Sequence, residues 1–128
     1  MILEWLEPSF TVAKWMGKRR IEDLGLFSFW SRTEAELSLV CPTERLPKDA
    51  ECREDGWVCF RVKEQMDFSL VGILAKISAC LAEKQISIFA ISTFDTDYIF
   101  IKEEKASLAQ GALAEAGWHF ANAAPRLS

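Results

Sequence analysis

The stretch that most limits what this chain can fold into runs from Gly56 to Asn122, where the spacing of apolar residues shifts repeatedly between strand and helix periods. "GWVCFRV" alternates, with Val58, Phe60 and Val62 facing one way and Trp57, Cys59 and Arg61 the other, so it reads as a strand with one apolar face. In "DFSLVGILAKISACLAEKQ", Leu70, Ile73, Leu74, Ile77 and Leu81 recur at helical spacing while Lys76, Glu83 and Lys84 reach water. Asp67 or Ser69 can serve as N-cap, and the helix should end near Lys84 or Gln85. "ISIFAIST" is apolar on both faces, as expected of an interior strand. "FDTD" then makes a turn and "YIFIK" returns as the second strand of a hairpin. "EKASLAQGALAEAG" is helical by its alanine and leucine content, with Gly117 suited to the left-handed position past its end, and "WHFAN" can close as a last strand. The order β-α-β-β-α-β defines a ferredoxin-like α+β unit.

The first half reads as a degenerate copy. With a shift of 60, "LFSFWSRTEAELSLVC" overlays "ISIFAISTFDTDYIFI": Phe29 falls on Phe89 and Thr33 on Thr93. "FTVAKW" would be the opening strand of this copy. Only a short segment with Gly17, Lys18 and Arg19 stands where the long helix should be, and Pro42 and Pro47 limit the second helix to a turn. The expected division is residues 1–54 as the degenerate half, 55–122 as the complete domain and 123–128 as a flexible tail. The two sheets are expected to lie side by side.

Composition narrows the functions. The chain has 128 residues, 50% hydrophobic and 27% charged, enough for one good core. A net charge of −4 argues against nucleic acid or an anionic membrane as partner. "MILEWLEPSF" lacks the features of a signal peptide, and no apolar run reaches the ~20 residues of a membrane-spanning helix. The four cysteines include no C-x-x-C and there is a single histidine, His119, so a standard zinc site and a histidine-assisted nucleophile are both disfavoured. Buried, reduced thiols in a cytoplasmic protein are the expectation, with no cofactor, no metal and no catalysis.

Two features stand out as site candidates. The loop "MDFSLVG" opens the long helix, whose first backbone N–H groups lack partners and sit at the positive end of the helix dipole, so an anion docks there readily. Gly72 leaves room for close approach of a ligand. Asp95 and Asp97 stand two apart at the hairpin tip and can point the same way in an extended segment. Each feature also has a plain structural reading. Asp95 serves as a turn former, Ser69 as an N-cap, Gly72 as a point of close helix–sheet packing, and Phe68, Phe89 and Phe94 as core. Trp57 and Trp118 would cover the sheet or a dimer contact. "GKRR" at Gly17–Arg20 reads as a solvated turn, with an anion-binding role as the alternative. A metal held by the D-x-D pair and an acid/base carboxylate pair are minor readings.

The run Asp67–Glu104, with D-F-S-L-x-G-[IV]-L-A, I-S-I-F-A-I-S-T and F-D-T-D-Y, closely resembles the tandem ACT proteins of the bacterial family related to the cytosolic arginine sensors called CASTOR. The resemblance spans about Gly56 to Trp118 and extends more loosely upstream. It implies a non-catalytic regulatory module that binds a small amino acid at an ACT–ACT interface, in a homodimer. By that resemblance the ligand site includes Phe68, Ser69, Leu70 and Gly72 at the helix opening, backbone groups at Ser87 and Ile88, and the acidic residues Asp95 and Asp97. Of the two aspartates, Asp97 is the stronger candidate. The alternative is a dimerisation or interaction module with no ligand.

Overall fold

The computed structural model describes residues 1–63 and 72–125, so the expected N-caps Asp67 and Ser69 lie outside it. The chain divides into two compact units, Pro8–Trp57, and Met1–Glu7 with Val58–Ser128.

In the unit formed by Met1–Glu7 and Val58–Ser128, the strands are β1 (Ile2–Trp5), the second part of β5 (Cys52–Val62), β6 (Ile88–Ser92), β7 (Asp97–Lys102) and β8 (His119–Phe120). Two helices accompany them, α1 (Ile73–Glu83) and α2 (Ala106–Glu115). The sheet order is β8–β1–β5–β7–β6. This is the expected split unit with one addition: β1 is wedged between β5, to which it runs antiparallel, and β8, to which it runs parallel. The four residues "ILEW" are too short to announce a strand by pattern, yet Leu3 and Trp5 alternate inward and are 0% and 3% exposed.

The core joins one face of the sheet to the two helices. Val58, Phe60 and Val62 meet Ile73, Ile77 and Leu81 from α1, Ala109 and Leu113 from α2, and Ile99 and Ile101 from β7. Full burial of each large side chain is worth about 1.5–3 kcal/mol. The other face of β5 is not left to water as its alternation predicts, because Cys59 is fully buried as well. Trp5 packs edge-on to Phe60 and stacks on Phe120, and its indole N–H donates to Gln110 Oε1 at 3.0 Å. Asn122 closes this region by accepting the Trp5 N–H at 2.8 Å and donating to the Trp5 carbonyl at 2.9 Å.

Both helices stop where the sequence predicts. After α1, the Ile86 N–H donates to the Leu81 carbonyl and the Gln85 N–H to that of Ala82, with Gln85 at φ 58. After α2, Trp118 donates to Leu113 and Gly117 to Ala114, with Gly117 at φ 98. Each is a Schellman turn with an apolar clasp, Leu81 with Ile86 and Leu113 with Trp118. One expectation fails. β6 is apolar on both faces yet sits outermost among the described strands, and none of its residues is fully buried. Its composition suits an interior strand; its position is an edge.

The unit Pro8–Trp57 repeats the plan without α-helices. Its strands are β2 (Phe10–Trp15), β3 (Phe29–Arg32), β4 (Leu37–Pro42) and the first part of β5, in the order β3–β4–β2–β5. Relabelled by their order within this unit, that is 2-3-1-4, the ferredoxin order. Ala13, Trp15, Leu37, Leu39 and Cys41 form its core, covered by Leu24, Trp30, Leu46 and Ala50 from segments that are not α-helical. The shift of 60 holds in detail. Arg32↔Leu37 closes one hairpin and Ser92↔Asp97 the other. The turns match too: Thr33 N–H donates to Glu36 O and Thr93 N–H to Thr96 O, both at 2.9 Å. A single 3-10 turn follows in each case, Thr43–Arg45 and Glu103–Lys105.

Candidate functional site

The repeat gives Asp97 an internal reference. Its counterpart is Leu37, a core residue 1% exposed. Side chains alternate along a strand, so Asp97 shares the face of Ile99 and Ile101, the face that α1 and α2 cover. A carboxylate therefore occupies a half-buried position, at the rim of the core, where the other half of the chain has leucine. Across the hairpin, Ser92 faces Asp97, and the Ser92 hydroxyl donates to Asp97 Oδ1. That bond holds one carboxylate oxygen and orients the group.

The helix end expected to take the anion is at Gly72. Gly72 has φ 84 and caps α1 without a side-chain hydrogen bond, and no acidic residue stands in the first turn. Its carbonyl accepts the Lys76 N–H at 2.8 Å, so the N–H groups of the first turn point outward along the helix axis. A Cβ at Gly72 would meet no atom of the described residues within 4 Å. The positive φ, rather than crowding, is what requires glycine here.

Topology places these two groups at the same end of the sheet. Only residues 84–87 separate α1 from β6, and both line one core, so β6 runs back along α1. Its last residue, Ser92, and the Asp97 that pairs with it thus return toward the start of α1. Ser87 and Ile88, by contrast, lie at the opposite end, beside the last turn of α1; an 11-residue helix spans about 16 Å. Within one chain, the expected site residues divide into Gly72 with Asp97 at one end and Ser87 with Ile88 at the other. Phe68, Ser69 and Leu70 lie outside the described residues.

Asp95 lies in the turn, as its plain structural reading has it. It is an exposed residue of the bend, not part of an extended segment, so it does not share a strand face with Asp97. It does not cap the turn either: the Thr93 hydroxyl does, accepting the Thr96 N–H at 3.4 Å and donating to the Thr96 carbonyl at 3.2 Å. Phe94, expected in the core, is 81% exposed at the hairpin tip. Phe89 stacks on Phe100 with ring centroids 4.6 Å apart, on the face away from Asp97. On that same face Arg61 binds Glu4 at 2.9 Å and donates to the Tyr98 hydroxyl at 3.1 Å. Burial disfavours the Arg61 charge, but these two hydrogen bonds outweigh it and the guanidinium is held more firmly than usual. Alternation puts Arg61 on this face; nothing in the sequence pairs it with Glu4.

The thiols split. Burial pushes the Cys41 thiol up to about 11 and the Cys59 thiol well above its ordinary range, and raises Cys80 as well. Cys52 is exposed and Cys80 only half-buried, contrary to the expectation of four buried thiols.

Chain order, sheet order and the repeat define an α+β protein with a ferredoxin-like fold. Residues 53–115 match the model of the ACT domain family. No curated protein gives a significant match. Among solved structures, the chain is similar to an Agrobacterium tumefaciens protein at 28% identity and TM-score 0.86, over 99% of this chain and 97% of that one. It is also similar to a Vibrio cholerae protein described as of unknown function and a possible transport protein, at 24% identity and TM-score 0.67, over 88% and 87% of the two chains. A third similar structure is that of aspartokinase alpha and beta subunits, at 16% identity and TM-score 0.63, over 91% of this chain and 97% of that one. The last two likenesses concern the fold alone. Among the described residues no helix is long and apolar enough to cross a membrane.

Proposed function

We propose that this protein is a non-catalytic, cytoplasmic regulatory module that binds a small amino acid at an interface between two copies of its ACT domain, as the resemblance to the CASTOR-related family implies. The observation that carries the reading is Asp97, a carboxylate on the helix-covered face where the repeat has the core residue Leu37. Exchanging a core leucine for a carboxylate gives up apolar burial, whereas a ligand ammonium gains from it: a hydrogen bond to a charged group contributes about 1.5–3 kcal/mol. The ligand carboxylate would dock at the opening of α1 by Gly72, with Phe68, Ser69 and Leu70 completing that side. Asp95 would stand at the mouth of the site.

The edge position of β6 supports a second copy as part of the site. An apolar strand that pairs on one side only among the described residues favours pairing with another strand. Two β6 edges paired antiparallel about a twofold axis would bring Ser87 and Ile88 of one copy beside Ser92 and Asp97 of the other, reuniting the residues that one chain keeps apart. The same edge equally serves the alternative reading, a dimerisation module without a ligand.

A thermal-shift screen against the common amino acids separates the two. A ligand at a hundredfold excess over its dissociation constant adds about 2.7 kcal/mol of stability. The sensor reading expects at least one amino acid to raise the melting temperature, and Asp97→Ala to remove that rise while the fold persists. No shift from any amino acid at millimolar concentration leaves only the dimerisation reading.

A further inference from the structure

Residues 16–28 occupy the place of the helix that the other half of the chain has after its first strand, and a helix would satisfy its own carbonyl groups. Here side chains do that work. Arg32 donates to the Arg19 carbonyl at 2.8 Å, Arg19 to the Arg20 carbonyl at 2.7 Å and Trp30 to the Glu22 carbonyl at 3.1 Å. Arg45 reaches the carbonyls of Leu24 and Leu26, both at 3.3 Å. The strap carries Leu24, which covers the core of Ala13, Trp15, Leu37, Leu39 and Cys41.

Arg19 is the centre of this arrangement, and it is not the solvated turn residue that "GKRR" suggests. Its side chain is 17% exposed. Its Nε and Nη2 meet the two oxygens of Asp49 at 2.9 and 3.0 Å, a fork-to-fork pair. Its Cζ lies 4.5 Å from the Trp15 ring centroid and 5.7 Å from that of Trp30, and the two indoles stack on each other. The Trp15 indole N–H donates to the Asp49 backbone carbonyl at 2.9 Å, fixing the acid beside the aromatic pair. The hydrogen bond from Arg19 holds the Asp49 carboxyl below the usual carboxylate range. Negative charge, a planar two-oxygen acceptor and π-faces are together what a guanidinium requires and an ammonium does not match.

We propose that Trp15, Trp30 and Asp49 form a guanidinium-binding site whose resident ligand is the chain's own Arg19, so that residues 16–28 are a strap latched by an internal ligand. Emptied of Arg19, the site accepts a free guanidinium ion.

The test is limited digestion of the full chain by a glutamate-specific protease, reading cleavage after the exposed Glu22 within the strap. Arg19→Ala should be cut there roughly tenfold faster than wild type, as the open strap becomes more populated. Guanidinium chloride, far below denaturing concentration, should slow that cleavage in Arg19→Ala, whereas urea and sodium chloride at the same concentration should not. Adding Asp49→Asn should abolish the rescue, and wild type should not respond. Should Arg19→Ala fail to fold, Arg19→Lys replaces it, since it keeps the charge but loses the fork and the flat face, and it should also be cut faster. Wild-type protection in either variant, or the same effect from guanidinium and urea, overturns the proposal.

Discussion

The two helices of the C-terminal unit end in the same hydrogen-bonded turn, but the left-handed position holds Gln85 after α1 and Gly117 after α2. A residue with a Cβ costs about 1–2 kcal/mol in this conformation, whereas glycine carries no such cost. Glycine brings a larger loss of chain entropy on folding, about 0.5–1 kcal/mol. Gln85 is exposed and its side chain makes no hydrogen bond among the described residues, so nothing else is lost on replacing it. Gln85→Gly should therefore stabilise the protein by a net ~0.5–1 kcal/mol, a rise of about 2–5 °C in melting temperature for a chain of this length. Gly117→Ala is the mirror experiment. A Cβ there meets no described atom within 4 Å, so the penalty is of the backbone alone, and a loss of ~0.5–1 kcal/mol is expected. Gln85→Ala keeps the left-handed strain and should stay within about 0.5 kcal/mol of wild type. Urea denaturation with a common slope measures all three. If Gln85→Gly is no more stable than Gln85→Ala, the backbone argument is wrong.

Asn122→Ala should destabilise by about 1–3 kcal/mol in the same assay, because it leaves the N–H and carbonyl of Trp5 without their partner. With a chromogenic disulfide at pH 8, one thiol, that of Cys52, should react quickly, while Cys41 and Cys59 should wait for unfolding because burial keeps them protonated. The linked effect on stability follows in sign. The unfolded Cys41 thiol ionises near 9 but the folded one only near 11, so the unfolded chain binds fewer protons between those values and stability should fall as pH rises through that window. A pH-independent unfolding midpoint from 8.5 to 11 would contradict this.

The C-terminal half was legible because each element satisfied its own local rules. Alternation in "GWVCFRV", helical spacing from Ile73 to Leu81 and the glycine at 117 all pointed to one order. The repeat was legible only where geometry forces residue choice, in the turn threonines Thr33 and Thr93 and the strands that flank them. What escaped were features set by tertiary partners. "ILEW" forms a strand because β5 and β8 both offer it an edge, which four residues cannot signal. β6 looks interior because both its faces are apolar, yet sheet order alone places it outermost. Arg19 reads as solvated because nothing in "GKRR" reveals that Trp15, Trp30 and Asp49 converge on it. At the candidate site, Asp97 stood out by charge, but its place on the core face required the pairing register. Asp95 misled because an even spacing implies a shared face only when both residues are extended.

Asp97→Leu tests the central claim most directly, since it installs the residue that the repeat carries at the equivalent position. The measurement is the melting temperature of wild type and Asp97→Leu, each with and without the amino acid that stabilises the wild type. If Asp97 is kept for a ligand and not for the fold, the variant should melt no lower than wild type when unliganded and should lose the ligand-induced rise. A variant that still responds to the amino acid like wild type would contradict the account.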